Sequence, residues 1–377
     1  MEPKKIVIAM DSFKGSATSL ELADWLESGI HRVQSDIQVT KIPIADGGEG
    51  TIAALMLALN GRCLTVEVNN PLGEATKASL GITDQQVAFI EMAKASGITL
   101  IEQTEANALQ ASSYGLGQLI VAALDQGAKE IYVGIGGSAT NDGGVGMAQA
   151  LGVSFKDAHG QEIAPGAAGL AELATIDISQ LDPRVSQTAF HMLSDVANPL
   201  TGDNGAIRIY GGQKGLPENR MAEVDGWMQQ YRQRISDLVG EDIGARAGAG
   251  AAGGVGTALM AFCQADFYQG IDKILELLQV EKQMATANAV ITGEGFMDAQ
   301  SINGKAPIGI AKMAKRYDLP VIAIVGGAAD ELAPLYEAGI DLVLGAVNRP
   351  MTLAEAMDHV KINVINAGET AARALMI

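Results

Sequence analysis

The chain of 377 residues carries 44 acidic against 26 basic side chains, a net charge of −18, with 48% hydrophobic and only 4% aromatic residues. That length suggests two domains, each with its own core, and the hydrophobic share excludes a disordered chain. The acidic balance and the scarcity of rings exclude a nucleic-acid surface built on basic stripes and stacking aromatics. Two cysteines and four histidines show no zinc spacing. The start, MEPKKIVIAM, has too short an apolar run for a signal peptide. The uncharged window 247–265 is too rich in glycine for a membrane span and reads as a buried Gly/Ala helix. A cytoplasmic protein that engages neither membrane nor nucleic acid is expected; a homo-oligomer is compatible with this.

In chain order, Ile6-Val7-Ile8-Ala9 predicts a strand buried on both faces, ending in Asp11-Ser12-Phe13-Lys14-Gly15-Ser16. Thr18 and Glu21 form a capping box for a helix whose apolar stripe is Leu22, Leu26, Ile30 and Val33. A strand over 37–44, the segment Ala45-Asp46-Gly47-Gly48-Glu49-Gly50-Thr51 and a helix over 52–59 follow. This βαβα opening predicts a parallel sheet with helices on its faces. Short strands are predicted over 64–68, 78–82 and 87–92, and a helix over 112–126. Strand 131–133 runs into Gly134-Ile135-Gly136-Gly137-Ser138-Ala139-Thr140-Asn141-Asp142-Gly143-Gly144, after which apolar residues resume at helical spacing to Leu151. A strand over 190–196 contains Asp195; Tyr210 to Gly215 precedes a long helix beginning at Pro217, a favoured first position. A strand over 288–292 leads into Gly293-Glu294-Gly295-Phe296-Met297-Asp298. A helix over 306–315, a strand over 321–325, a short helix near 332–337, a strand over 341–344 and a last helix from Leu353 complete the chain. The two βα-rich ends are expected to close into one sheet, with the middle of the chain as an inserted domain.

The stretch 131–152 is the richest in chemistry. Strand, glycine-rich turn with hydroxyls, then helix lines backbone N–H groups and a positive helix end around an anion. A phosphate with its magnesium suits Ser and Thr hydroxyls beside an Asp; the plainer reading is a tight turn whose glycines supply positive φ. The fingerprints Gly134-Gly136-Ala139 and Gly248-Gly250-Gly253 are weak support for NAD without their βαβ context. A Walker A loop is absent, since Asn303-Gly304-Lys305-Ala306 lacks the first glycine and the final Ser/Thr, and the protein-kinase catalytic loop is missing too. Six acidic residues stand where strands end beside glycine: Asp11, Asp46, Asp142, Asp195, Glu294 and Asp298. Any one of them is most simply a turn residue or a helix cap. As a set they mark the carboxyl ends of strands, where α/β enzymes build their sites. Lys14 and Lys214, each among glycines, suit phosphate, or are ordinary solvated lysines. Cradling amides, carboxylates for magnesium, a carboxylate near the attacking hydroxyl and a cation are the parts that phosphoryl transfer needs.

The blocks IVIAMDSFKGS, IADGGEGT, FIEMAKASG, GIGGSATNDGGVGMAQALG, SDVANPLTGDNGA, GGQKG, AGAGAAGG, ITGEG and NGKAPIGIA closely resemble, in the same order, those of the bacterial type 1 glycerate kinase family. The resemblance implies an α/β fold of two domains, a discontinuous Rossmann-like parallel-sheet domain (1–62 plus 286–377) and an inserted mixed α/β domain (63–285). It also implies a cleft between them, ATP with Mg2+ as phosphoryl donor, and D-glycerate converted at its 2-hydroxyl to 2-phospho-D-glycerate. On this reading Gly136, Gly137, Ser138 and Thr140 contact phosphate, with Lys14 and with Lys214 as a second cation. Asp195 is the catalytic base or a magnesium ligand, and Asp46 and Glu294 are supporting carboxylates, Glu294 toward the metal. Met10 and Gly212 stand where the family usually has Pro, and Phe296 where it has Arg. If that Arg meets the glycerate carboxylate, then either Lys14, Arg208 or Lys305 replaces it here or the chain binds glycerate weakly. The alternatives are a kinase for a related small hydroxy acid, a non-catalytic nucleotide or small-acid sensor, and, more remotely, an NAD-dependent oxidoreductase.

Overall fold

A computed structural model describes residues 5–42, 44, 51–298, 301 and 305–376. The chain divides into two compact units, one comprising Met1–Asp46, Leu57–Leu59 and Ile271–Ile377, the other Gly47–Met56 and Asn60–Gly270. Both are α/β.

In the first unit the strands Leu342–Gly345, Val321–Val325, Ala289–Gly293, Lys5–Met10 and Gln38–Lys41 form a sheet in that spatial order, every neighbouring pair parallel. The continuous apolar run of the first strand explains its central place. Ile6, Ile8 and Met10 join one core with Leu22, Leu26 and Ile30 of the helix Ser19–His31. Val7 and Ala9 join another with Ile308, Ile310 and Ala311 of the helix Ala306–Lys315. A strand covered by helices on both sides has no solvent face, so its sequence does not alternate. The expected capping box forms, Thr18 Oγ1 accepting from the Glu21 N–H and the Glu21 carboxylate from the Thr18 N–H. The second strand is shorter than the predicted 37–44, although the N–H groups of Ile42 and Ile44 still donate to the carbonyls of Ile8 and Met10.

The helix Ser19–His31 lies against the last long helix, Val360–Ala374. Glycine sets how closely they meet: a Cβ on Gly29 would stand 2.0 Å from the Ile365 carbonyl oxygen, and one on Gly368 would stand 2.6 Å from that of Leu26.

The second unit holds a six-stranded sheet in the order Asp266–Tyr268, Ala189–Leu193, Glu130–Gly134, Val87–Glu91, Ala75–Ile82, Arg62–Asn69. The first four strands run parallel and the last two form antiparallel pairs. Its core joins Ile90, Ile131 and Val133 of the sheet to Leu116, Leu119 and Ile120 of the helix Tyr114–Asp125. The long helix is Glu218–Val239, with Pro217 as its N-cap rather than its first helical residue. Val224, Met228, Tyr231 and Ile235 are buried along one face. The Gly/Ala window forms the helix Ala251–Cys263, but Ala252, Gly253 and Gly254 are left-handed inside it. The reason is close approach of backbone: a Cβ on Gly253 would stand 1.9 Å from the Thr140 carbonyl oxygen. Among the described residues no helix is long and apolar enough to cross a membrane.

Two glycines separate packing from propensity. Gly29→Val forces a branched side chain into backbone, and overpacking of this kind costs at least about 1–3 kcal/mol. Gly226, inside the helix Glu218–Val239, has nothing within 4 Å of an added Cβ, so Gly226→Ala is expected to gain roughly 0.5–1 kcal/mol. Denaturant midpoints of the two variants should move in opposite directions.

Candidate functional site

In the first unit, Lys5–Met10 and Ala289–Gly293 are neighbours in register, Met10 opposite Gly293. From this pair the chain builds the sheet outward in opposite directions, which makes their carboxyl ends a topological switch point, the crevice where open α/β sheets bind ligands. The strands end in Asp11 and Glu294. The Asp11 N–H donates to the Gly293 carbonyl at 3.0 Å, and the Thr292 hydroxyl donates to that of Ala9 at 2.8 Å. Gly293 has φ of 153°, and a Cβ there would meet the Ile324 oxygen at 1.8 Å. After Asp11 the chain turns tightly, Phe13 and Ala17 exchanging both backbone hydrogen bonds, and Lys14 is exposed at the turn.

A cavity of about 590 Å³ opens here, within the first unit, lined among others by Asp11, Lys14, Glu294, Phe296 and Lys305. Glu294 is 7% exposed. Its Oε2 accepts from Lys305 Nζ at 2.7 Å, while its Oε1 is buried with no partner among the described residues. Phe296 pairs with Gly327 in a two-residue parallel bridge and is 55% exposed. Of the three cations considered as replacements for the family Arg, Lys14 and Lys305 share this cavity with Phe296. Arg208 belongs to the helix Ala206–Tyr210 of the other unit.

In the second unit the strand Glu130–Gly134 delivers Ile135 and then the glycine turn. Its two sides are pinned: the Ile98 N–H donates to the Gly137 carbonyl at 2.8 Å, and the Ala139 N–H to that of Ser96 at 2.9 Å. Gly136 and Gly137 are exposed, Gly137 with φ of 69°, and Ser138 is buried just beneath them. Among the described residues the N–H groups of Gly136, Gly137 and Ser138 donate to no protein acceptor. On the neighbouring strand Asp195 follows Leu193 out of the sheet; it is exposed and accepts from the Gly270 N–H at 3.2 Å. Glu91, absent from the residues singled out in the sequence, ends the strand on the other side. It is buried and takes the Ile52 N–H at 2.8 Å. Its sequence signals are its place in the block FIEMAKASG and its position as a carboxylate closing the apolar run Val87-Ala88-Phe89-Ile90.

Below the turn the chain is fully enclosed. Thr140, Asn141 and Asp142 have no exposed surface. The Thr140 hydroxyl points to the Ala252 carbonyl at 3.4 Å, and the Thr140 carbonyl accepts from Lys214 Nζ at 2.7 Å. Asp142 accepts from the Ser113 N–H and hydroxyl at 2.7 and 2.8 Å, and from the N–H groups of Gly144 and Gly146 at 3.0 and 3.2 Å. Burial raises this carboxyl above the usual range, and those donors oppose the shift. Lys214 is 4% exposed; burial lowers its ammonium to about 7, against the field of Asp142. The helix Val145–Ala150 therefore holds an anion at its start, as the motif anticipates, but the anion is the chain's own Asp142. What the turn leaves open to a ligand is the run Gly136 to Ser138. Asp46 lies outside the described residues.

Among the described residues no three His, Cys, Asp or Glu side chains are grouped to hold a metal. Magnesium on a nucleotide keeps several waters and takes one or two protein carboxylates. The orphaned Oε1 of Glu294 fits such a contact.

Comparison with known proteins agrees over the whole length. The profile of the glycerate kinase family matches residues 6–376. The glycerate 2-kinase of Escherichia coli K12 is 45% identical over 374 residues, covering 99% of this chain and 98% of that protein. The glycerate kinase of Halalkalibacterium halodurans is 44% identical over 355 residues, covering 94% and 93%. A solved chain from Salmonella typhimurium LT2, described as a candidate glycerate kinase 2, superposes with a TM-score of 0.90 at 43% identity, over 100% of this chain and 99% of that one. With its switch-point carboxylates and its open glycine turn, this chain belongs to the glycerate kinase family.

Proposed function

We propose that the protein moves the γ-phosphoryl group of ATP to the 2-hydroxyl of D-glycerate, forming 2-phospho-D-glycerate and ADP. The observation that carries this reading is the run of unclaimed N–H groups at Gly136, Gly137 and Ser138, on the same sheet edge as Asp195. Preorganised amides of this kind stabilise charge on a transferring phosphoryl group without reorganising. The names of the Escherichia coli and Halalkalibacterium relatives support glycerate as acceptor.

In the proposed reaction Gly136, Gly137 and Ser138 bind phosphate oxygens. Thr140 acts from beneath by holding Lys214, whose charge reaches the site as a field rather than by contact. Lys14 is assigned to phosphate in the first unit. Asp195 accepts the proton of the 2-hydroxyl as that oxygen forms its bond to phosphorus, and the bond to the leaving ADP oxygen breaks. Magnesium, when bound, neutralises phosphate charge; in the first unit Glu294 through Oε1 is the proposed ligand, and in the second unit Asp195 is a candidate ligand by its own exposed carboxylate. Asp46 remains a proposed supporting carboxylate.

An ADP-release assay with MgATP across glycerate, tartronate and lactate should show turnover that requires glycerate. ADP binding by calorimetry without any turnover would instead identify a sensor. A bulky side chain at Ser138 should block approach to the glycine amides: Ser138→Leu is expected to raise the ATP KM by about 10- to 150-fold, the worth of one charge-assisted hydrogen bond. Unchanged ATP kinetics in the folded variant would reduce the stretch to a turn. Asp195→Asn keeps the shape of the side chain and removes its basicity, so kcat should fall by ~10²–10⁴; a fall below about tenfold would place the base elsewhere. Because the Lys214 ammonium loses its proton as pH rises through about 7, ADP affinity should weaken over that interval. The weakening should be flatter in Lys214→Met, and identical profiles for the two proteins would remove Lys214 from the site.

A further inference from the structure

The cavity of the first unit has more room and more apolar surface than glycerate uses. Its volume of about 590 Å³ lies in the ~300–1,000 Å³ range of sites for drug-sized ligands, and a three-carbon acid would leave most of it empty. Its polar lining includes Asp11, Ser12, Lys14, Glu294 and Lys305. Its apolar lining includes Phe296, Val347, Leu353, Met357 and Val360. A carboxylate or phosphate pressed against these apolar groups would lose its water and gain no donor from them, a costly exchange.

The exposure of these apolar groups points to a ligand. Leu353 is 77% exposed, the most of any large apolar side chain among the described residues, and Phe296 is 55% exposed. Both flank one cavity, whereas exposed apolar groups without a role are usually scattered. The local sequence explains the arrangement. Thr352 and Glu355 form a capping box that starts the helix Leu353–Asp358 at Leu353. Leu353, Met357 and Val360 then recur at helical spacing along the cavity.

One polar group stands among them. Asn363, 4% exposed, lines the cavity, and among the described residues its side-chain amide has as partner only the Met351 sulfur, at 3.9 Å. A buried amide with so weak a partner is costly unless a ligand completes it. Its N–H and C=O lie side by side, the pair that matches the amino group and adjacent ring nitrogen of adenine.

We propose that this cavity seats the adenine ring of the nucleotide, with Phe296 and Leu353 as its walls and Asn363 reading the hydrogen-bonding edge of the base. The phosphates then lead toward Lys14 and Lys305. This assignment rests on ATP being the phosphoryl donor, and it gives position 296 a role toward the base, not toward the glycerate carboxylate. The replacement of the family Arg by Phe then leaves glycerate recognition untouched.

The test combines calorimetry of ADP and of adenosine with steady-state KM values for ATP and glycerate, on the full chain. Phe296→Ala removes an exposed ring and leaves the fold intact. It should weaken ADP and adenosine binding and raise the ATP KM by about 5- to 150-fold, the span of base–aromatic stacking, with the glycerate KM unchanged. Asn363→Leu, checked for folding by its thermal melt, should reduce the preference for ATP over GTP. Phe296→Ala with unaltered nucleotide affinity, or with a shift confined to glycerate, overturns the assignment while wild-type turnover keeps the kinase reading. Wild-type protein that binds ADP through Phe296 yet phosphorylates no glycerate overturns the kinase reading and leaves the adenine site standing.

Discussion

Asp142 is a carboxylate with no access to water, and the geometry of the second unit is arranged around satisfying it. Two oxygens gather the start of one helix through Ser113 and the start of another through Gly144 and Gly146. The Ser113 hydroxyl, having donated to Asp142, accepts the Met147 N–H at 2.9 Å. A buried charge left without such partners would be strongly destabilising, so the residues around it are constrained together. Gly143 must take positive φ, and a Cβ on it would lie 2.7 Å from the Tyr231 ring. The left-handed residues 252–254 bring a second backbone against the first. With its floor fixed in this way, the exposed turn at Gly136 and Gly137 needs no partners of its own for its N–H groups.

The first unit reaches a comparable end by topology. Two parallel strands that diverge in connectivity leave a crevice at their carboxyl ends. The acidic residues that close them, Asp11 and Glu294, are carried there by register alone. Lys305 neutralises one oxygen of Glu294, and the other has no partner among the described residues.

Local patterns were the legible part of this chain. Continuous apolar runs at Ile6 and Val321 mark strands buried on two faces, and the Thr18–Glu21 pair marks a helix start to the residue. The helix expected from Ser112 begins instead at Tyr114, since the two serines spend their hydroxyls on the Tyr114 N–H, Asp142 and the Met147 N–H. Nothing local announces the left-handed residues inside the Gly/Ala helix, because their cause is the Thr140–Gly143 backbone packed against them. The same limit hides Asn363 and Leu353, which periodicity assigns to ordinary helices. Only the assembled sheet brings them beside Phe296. The recurring acidic residues were legible as candidates, but not as what they became: one an internal anchor, one a partly satisfied cavity wall, one exposed at a sheet edge.

The pairing of Lys5–Met10 with Ala289–Gly293 has a consequence during synthesis. The hydrogen bond from Thr292 to Ala9 spans 283 residues, so during synthesis the strand Lys5–Met10 waits for its inner neighbour while that many further residues are made. At ~5–20 residues per second that delay is on the order of 15–60 s. The unit that ends at Gly270 emerges complete within that interval, and domains generally fold as units. An apolar strand with both faces destined for burial is meanwhile without its sheet, a demand on the cell's holding chaperones that a chain with its domains in tandem would not make.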